Sequence, residues 1–342
     1  MGNIYGKNDA ERNSVRNCHS LVNITVSQVK VSGTSVGGIA GRARYTWFRD
    51  CSNSGSVVID SEAKGGIRYF CGGIAGSIGQ SVSLRRSYNS GYVSADFCAG
   101  GLVGQMDGAQ CELTSNYNYG EILASTYAGG LVGCVTGNGA GGKISWGYNS
   151  GPVNLGKSGK YLGALFGGIQ PGEYENLYAL KRSDQAERAM VGYSADFSSP
   201  GYFLSDRELR NDEILNSLNG GGSYFIHDYL GYQSGYPIFS WQLTLEDFRN
   251  GAVTELQTFV QPEDYEEEKW VIVESLIEEG VVRIQAAGSM EEINAALTET
   301  KQAVYQVESK KEAGERKLQA VSYTHLDVYK RQTGSSRKNW RI

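Results

Sequence analysis

Two glycine-containing strings in the sequence match motifs that carry chemistry in other proteins. Gly33–Gly37 has the Gly-x-Ser-x-Gly pattern of a serine nucleophile, and Gly137–Gly142 has the Gly-x-Gly-x-x-Gly pattern of a dinucleotide site. Both motifs require a helix directly after the glycines. Neither string meets this condition, because the first continues into a repeated glycine pair and the second into Lys143–Trp146, which has the pattern of a strand. We therefore predict no catalytic residue, no cofactor and no enzymatic activity.

Cysteine and histidine are the other residue types that bind metals or attack substrates. The chain has no Cys-x-x-Cys pair and no His-Glu-x-x-His string, so we predict no metal site. Cys18 and Cys51 hold the same position in consecutive repeats, and this spacing is compatible with a disulfide. Ser87 at the same position in the next repeat favours a small packing residue instead, and both interpretations stay open. The six cysteines are Cys18, Cys51, Cys71, Cys98, Cys111 and Cys134.

Aromatic side chains are the best candidates for contact with a ligand. One group lies within residues 44–49, a segment predicted to be a loop, where exposed rings would stack on sugars or anchor a protein partner. The alternative is that these rings cover the end or side of the fold. A second group recurs at one repeat position and forms either an exposed sugar-binding stripe or a buried stack. The ligand-binding candidates are Tyr45, Trp47, Phe48, Tyr88, Tyr117 and Tyr148.

Internal repeats of about 30 residues must position these side chains. A Gly-Gly-(Ile/Leu)-(Ala/Val)-Gly unit alternates with a second unit that contains an asparagine and ends in glycine. This much glycine disfavours helices, and each repeat offers two short apolar stretches separated by turn residues. The first unit begins at Gly37, Gly72, Gly100 and Gly129, with a degenerate copy at 162–167, and the second contains Asn53, Asn89, Asn118 and Asn149.

One repeat cannot bury its own apolar face, so the repeats must stack. Stacking predicts hydrogen bonds between the asparagine amides of successive repeats, with the preceding tyrosines on the opposite face of the strand. The predicted fold is mainly β: a glycine-rich β-solenoid, similar to a β-helix. Its predicted internal apolar ladder consists of Ile39, Ile74, Leu102 and Leu131.

The paired units resemble the GLUG motif repeats of bacterial surface proteins, including regions that flank some immunoglobulin A proteases. The resemblance implies a structural or adhesive repeat region of a secreted or cell-surface protein that binds a host or matrix protein or a glycan. One alternative is the non-catalytic region of a surface peptidase. Another is a solenoid carbohydrate-active enzyme, which needs carboxylates that converge on one groove. The acidic residues of the repeats share no repeat position, which argues against that enzyme.

Charge and hydropathy bear on two further classes of protein. The net charge is −5, so the basic stripe that nucleic-acid binding requires is not expected. No apolar run is long enough to cross a bilayer, and residues 1–14 lack the hydrophobic core of a signal peptide. Because such repeats are typical of surface proteins, we expect an extracellular or cell-surface location, with the signal peptide and anchor outside this fragment.

The sequence predicts four regions. Residues 1–180 form the solenoid, and residues 181–242 form a mixed α/β cap with a capping box at Ser205 that covers the open solenoid end. Residues 243–320 contain three amphipathic periodicities and predict an all-α three-helix bundle, similar to spacer modules of Gram-positive cell-wall proteins. Val321–Gln332 resembles the translation of back-to-back sequencing-transposon ends, so residues 321–342 are predicted to be an artefactual, disordered tail.

Overall fold

The computed structural model describes residues 2–313 except 63–65, 109, 138–141, 155–157, 185–188, 195–199 and 229. The chain divides into two compact units, the first made of Met1–Asp228 with Tyr232–Trp241 and the second of Tyr229–Gly231 with Gln242–Ile342. The predicted tail at 321–342 lies outside the described residues, as do the four central residues of Gly137–Gly142.

The first unit is a β-solenoid of about five turns, so the predicted fold is confirmed. Each short strand pairs in parallel with the equivalent strands of the neighbouring repeats, and this stacking builds three sheets. In each repeat the glycine pair lies between two strands of an eleven-stranded sheet. The asparagine unit forms part of a ten-stranded sheet. An antiparallel pair, Phe225–Ile226 with Ile238–Phe239, lies outside these sheets.

The strands of the three solenoid sheets are between two and eight residues long. The eleven-stranded sheet contains Ile4–Tyr5, Thr34–Gly37, Ala40–Arg44, Tyr69–Gly72, Ala75–Gly79, Cys98–Gly100, Val103–Asp107, Tyr127–Gly129, Val132–Thr136, Tyr161–Gly168 and Ala189–Tyr193. The ten-stranded sheet contains Asn13–Arg16, His19–Ser20, Thr46–Arg49, Ser52–Asn53, Ser83–Arg85, Tyr88–Asn89, Glu112–Asn118, Lys143–Asn149, Glu173–Leu180 and Tyr202–Leu204. The four-stranded sheet contains Ile24–Ser27, Val57–Asp60, Val93–Ala95 and Ile122–Ala124.

The predicted apolar ladder forms the centre of the solenoid core. Ile74, Leu102 and Leu131 are at most 1% exposed, whereas Ile39 in the first repeat is half-buried. The backbone N–H of Leu102 donates to the carbonyl of Leu131 at 2.9 Å, and Ile74 donates to Leu102 at the same distance. The register predicted from the glycine pairs is therefore confirmed.

Truncation of the ladder should destabilise the solenoid strongly. We expect Leu102→Ala to lower the free energy of unfolding by about 2–5 kcal/mol, because the side chain is fully buried and its loss leaves a cavity. Leu21→Ala is the matched control, since Leu21 is 78% exposed and should change stability by less than about 0.5 kcal/mol. Urea denaturation followed by circular dichroism measures both. Equal effects of the two substitutions would contradict the register.

The asparagine amides of successive repeats form a continuous chain of hydrogen bonds. Each Nδ2 donates to the Oδ1 of the next asparagine at 2.8 Å and to the carbonyl of the glycine two residues later at 2.7–2.9 Å. Asn149 is the last asparagine of this series, and its Nδ2 donates to the carbonyl of Ala164 at 2.9 Å. The predicted ladder is confirmed, and its members are Asn53, Asn89, Asn118 and Asn149.

One corner of the solenoid is built from non-glycine residues in the left-handed conformation. In the first three repeats these residues lie between two strands of the ten-stranded sheet, and in the next three they lie within one continuous strand. Their φ angles lie between 49° and 55°. Such angles are uncommon for residues with a Cβ atom, so this corner was not predicted from the sequence. Its members at equivalent positions are Asn17, Asp50, Arg86, Ser115, Trp146 and Asn176.

After the last repeat the chain forms a segment that we call the cover, residues 205–228 and 232–241. It contains α1 (Asp206–Leu209) and α2 (Asp212–Asn219), and it ends with the antiparallel strand pair. The capping box at Ser205 is confirmed, and α2 ends at Gly220 in the left-handed conformation. The helical part of the cover consists of two short helices, because Asn211 caps the second one.

The cover lies along the side of the solenoid. Its residue Phe239 contacts the ring of Tyr117 at a centroid distance of 5.0 Å, and Trp241 reaches His19 of the first repeat at 5.2 Å. The prediction of a cap over the solenoid end is therefore corrected. When the cover packs against the column of tyrosine rings, it buries apolar surface from several repeats. Packing on the end of the solenoid would bury the surface of one repeat.

The second unit is helical. An added Cβ atom on Gly280 would lie 2.6 Å from the side chain of Thr300 and 2.8 Å from that of Leu256, so three helices approach one another at this glycine. Thr244 starts the first helix with a capping box, and the Ser289 side chain accepts a hydrogen bond from the backbone of Glu292 at the start of the last. The helices are α3 (Leu245–Gln257), α4 (Glu267–Ala286) and α5 (Met290–Tyr305), and 3-10 turns lie at Ser240–Gln242 and Pro262–Asp264.

Candidate functional site

The tyrosines that precede the asparagine ladder form one column of stacked rings. Tyr88, Tyr117 and Tyr148 are partners on consecutive strands, with ring centroids 5.0 Å apart and planes within 5° of parallel. They face away from the asparagines, as the alternation of a strand requires. Tyr117 and Tyr148 have no exposed surface, and Tyr88 is half-buried.

The cover is what buries this column. Phe225 and Phe239 contact the ring of Tyr117, and the hydroxyl of Tyr148 donates to the side chain of Gln233 at 3.2 Å and to the backbone of the cover. Burial raises the pKa of Tyr148 well above its ordinary value, so the phenol stays neutral. Of the two alternatives that the sequence left open, the buried stack applies to Tyr117 and Tyr148, which have no surface to offer a ligand.

The last residue of the cover occupies a gap in the column. Ser52 is the strand partner of both His19 and Tyr88, so one aromatic ring is missing between them. The ring of Trp241 lies 5.2 Å from His19 and 5.7 Å from Tyr88. An indole supplied from a distant part of the chain thus completes the row where the repeat has a serine.

The first group of aromatic candidates does not form one exposed patch. Residues 46–49 form a strand, so the predicted loop is wrong, and alternation along the strand separates Trp47 from Phe48. Phe48 is 1% exposed and belongs to the solenoid core, whereas Trp47 is 44% exposed. Tyr45 is half-buried at a corner with a φ angle of 47°. Trp47 is therefore the member of this group that is open to a partner.

A groove of about 350 Å³ lies on the outer face of the eleven-stranded sheet. One wall is a row of aromatic rings with successive centroid distances of 5.6, 4.8 and 5.1 Å. The two central rings, Tyr127 and Tyr161, are stacked, whereas the two outer rings meet them at interplanar angles of 67° and 57°. We call this site the aromatic groove, and its aromatic wall consists of Phe97, Tyr127, Tyr161 and Tyr193.

The repeat register places this wall. The residue two positions before each glycine pair points outward, and Tyr127 and Tyr161 hold this position in consecutive repeats. The ring of Tyr127 lies against Gly168, where an added Cβ atom would be only 3.2 Å away. Glycine at that site therefore leaves room for the ring.

The opposite wall carries amide and hydroxyl groups. Gln105 donates to the hydroxyl of Thr136 at 3.0 Å and accepts from Ser77 at 3.3 Å, so its amide is held in place. Lys160 lies 4.8 Å from the ring of Tyr161 at the edge of the groove. Burial raises the pKa of Tyr127, whose hydroxyl therefore stays a hydrogen-bond donor at neutral pH. An aromatic wall facing an amide wall suits a ligand with both apolar and hydroxyl surfaces, such as a sugar.

Sequence reasoning did not find this groove. The available signal was the recurrence of an aromatic residue two positions before the glycine pair, at Phe70, Tyr127 and Tyr161. Cys98 interrupts that series. The sequence analysis instead predicted ligand binding at the tyrosines beside the asparagines, which form the column that the cover buries.

None of the six cysteines forms a disulfide bond. All six are free thiols, so the disulfide considered for Cys18 and Cys51 is not formed. Burial raises the pKa of Cys51 to about 11, which keeps the thiol protonated at neutral pH. Cys134 lines the aromatic groove, and its sulfur atom lies 3.0 Å from that of the buried Cys98.

The residues that could take part in catalysis lie outside the aromatic groove. Ser35, from the Gly-x-Ser-x-Gly string, lies in a strand, and its hydroxyl donates to the carbonyl of Gly33 at 3.1 Å. Asp60, Glu62 and Asp96 line a depression of about 290 Å³ at the edge of the four-stranded sheet. Among the described residues, no cluster of His, Cys, Asp and Glu could hold a metal ion, and no helix is long and apolar enough to span a membrane.

No protein-family model and no curated protein matches the sequence. Among solved structures, the chain is similar to a protein from Bacteroides ovatus whose crystal structure is named as that of a putative immunoglobulin A1 protease. The two chains are 19% identical, with a TM-score of 0.39, over 70% of this chain and 74% of the other. A similarity at this level carries no information about ligands or activity.

Proposed function

We propose that this chain is a GLUG-type repeat region of a bacterial surface protein, with a structural and adhesive role and no catalytic activity. The aromatic groove is its binding site, and a glycan is the partner that suits it best. The observation that carries this proposal is the pairing of two walls in one open groove: a row of aromatic side chains, three of them tyrosines, on one side, and the fixed amide of Gln105 on the other.

The physical argument rests on what sugars offer a protein. A pyranose ring has apolar C–H surface and a rim of hydroxyl groups, which require aromatic contact and hydrogen bonds respectively. The groove follows the repeats along the solenoid, so a ligand made of repeating units would meet aromatic side chains from several repeats. The second unit then acts as a three-helix spacer module, because its helices carry their own caps and their own buried residues.

Binding to arrayed neutral and acidic oligosaccharides tests the proposal. We expect Tyr193→Ala to weaken binding of the best-bound oligosaccharide about ten-fold, since Tyr193 is 44% exposed in the groove and its truncation removes ligand contact. Tyr202→Ala is the matched control, because Tyr202 is 69% exposed on the ten-stranded sheet. Titration calorimetry on the full chain gives the affinities.

Two outcomes would count against this function. The first is no binding to any oligosaccharide, or equal losses in the groove and control variants. The second is release of shorter products from a bound oligosaccharide, with that release abolished by Asp96→Asn. The second result would favour the solenoid carbohydrate-active enzyme, because Asp60, Glu62 and Asp96 already line one depression.

A further inference from the structure

Three arginines lie side by side on consecutive strands of the ten-stranded sheet. Arg49 is the strand partner of Arg16 on one side and of Arg85 on the other, and all three side chains are exposed. Neighbouring strands are about 4.8 Å apart, so three positive charges follow one another at that spacing. Like charges directly opposite one another destabilise a sheet. We call these residues the arginine column.

The column is only partly neutralised within the protein. Arg85 pairs with Glu112 at 2.6 Å, whereas neither Arg16 nor Arg49 has an ion-pair partner in the described part of the chain. Elsewhere on the same sheet the charges are matched, since Arg86 pairs with Asp50 at the corner at 2.6 Å. Positive charge therefore exceeds negative charge along the column, although the net charge of the protein is −5.

The side chains around the column form a shaped site. A depression of about 320 Å³ is lined by the three arginines together with Trp47, Phe48 and Ser83. Serine hydroxyls two residues earlier accept from the Nε atoms of Arg16 at 2.9 Å and Arg85 at 3.0 Å, which limits the freedom of both guanidinium groups. Trp47 is 44% exposed, and the guanidinium of Arg12 lies 5.4 Å from its ring centroid.

We propose that the arginine column binds an acidic polysaccharide, with sulfate or carboxylate groups on successive sugars aligned with successive arginines. Guanidinium groups bind these anions through two parallel hydrogen bonds. The exposed ring of Trp47 supplies apolar contact for a sugar beside the charges. This site is separate from the aromatic groove, because the two lie on different sheets and share no residue.

The exposed indole of Trp47 beside the three charges favours a polysaccharide over other polyanions. Acidic side chains on one face of an extended peptide recur at about 6.7 Å, every second residue, which does not match a 4.8 Å column. Nucleic acid calls for a broad basic surface, whereas this protein has a net charge of −5. An acidic polysaccharide carries anionic groups together with the apolar C–H faces of its sugars, so it can contact the arginines and the exposed ring of Trp47 at the same time.

Binding of dextran sulfate, with uncharged dextran as the matched probe, tests the proposal on the full chain. We expect dextran sulfate to bind and dextran not to bind, with affinity that falls as salt rises. Arg49→Gln should weaken binding about ten-fold, which corresponds to the loss of one charged hydrogen-bonding group. Arg207→Gln, which removes an exposed arginine of α1, should change it less than about two-fold. Glu112→Gln should strengthen binding, since it frees Arg85 from its partner.

Several results would overturn the proposal. One is equal loss in Arg49→Gln and Arg207→Gln, which would mean that only net charge matters. Another is binding of polyglutamate or single-stranded DNA that matches dextran sulfate in affinity and in its dependence on Arg49. Tyr193→Ala in the aromatic groove should leave dextran sulfate binding unchanged, so failure of this site and failure of the groove are distinguishable. Arg49 is exposed, and an unchanged melting temperature of Arg49→Gln confirms that the variant is folded.

Discussion

Replacement of Gly101 by alanine is expected to prevent neighbouring repeats from stacking. A Cβ atom at this position would lie 2.1 Å from the carbonyl oxygen of Gly130 and 2.4 Å from the side chain of Asn118. Both neighbours are fixed, the first by strand pairing and the second by the asparagine ladder. The expected loss of stability is at least about 4 kcal/mol, because the clash can be relieved only by separation of two repeats.

Urea denaturation compares Gly101→Ala with a matched control. Gly2→Ala should have no measurable effect, since an added Cβ atom there meets nothing within 4 Å. Failure of Gly101→Ala to fold at all, with normal folding of Gly2→Ala, also agrees with the prediction. A Gly101→Ala protein with the stability of the parent would show that the repeats are not packed at this distance.

The second large effect is expected at the cover. Phe239→Ala should lower the free energy of unfolding by about 3–5 kcal/mol, because the ring is fully buried between Tyr117, Phe225 and Trp241. Loss of the ring should also open the tyrosine column to solvent, which fluorescence quenching by acrylamide measures. Phe203→Ala is the control, since Phe203 is 41% exposed and its truncation should cost less than about 1 kcal/mol.

The same experiment distinguishes a lateral cover from a cap on the solenoid end. If the cover lies along the side, Phe239→Ala exposes tyrosines from several repeats and quenching increases accordingly. If the segment covered only the end, quenching would change for the last repeat alone. A Phe239→Ala protein with unaltered stability and unaltered quenching would refute the contact between Phe239 and Tyr117.

The regular features of the solenoid follow from local chemistry that recurs in the sequence. A glycine pair every repeat sets the register, and this register placed Leu102 and Asn118 in the core, where the structure has them. Both residues contact their own equivalents in the next repeat, so knowledge of one repeat is enough to predict their surroundings. The same reasoning could have found the outward position of Tyr127 and Tyr161, since it too recurs at a fixed distance from the glycine pair.

Features that depend on chain segments far apart were not predictable in this way. Whether Tyr117 is exposed depends on Phe239, which lies over a hundred residues later and belongs to no repeat. The left-handed corner at Asp50 and Trp146 has no glycine signal, because strand pairing on both sides imposes the conformation. The arginine column was equally hidden, since Arg16, Arg49 and Arg85 become neighbours only when three repeats are in register.

The sequence by itself determined that this protein is a glycine-rich β-solenoid with an internal apolar ladder and an asparagine ladder. It could do so because stacking of identical units turns a periodic pattern directly into contacts. Only the tertiary structure decided which outward-facing columns are open to a partner. That outcome depends on where the cover folds back: it buries the tyrosine column beneath Phe225 and Phe239 and leaves the aromatic groove and the exposed face of Trp47 uncovered. Which side chains are exposed depends on packing between distant segments that do not repeat, so the sequence of one repeat does not determine it.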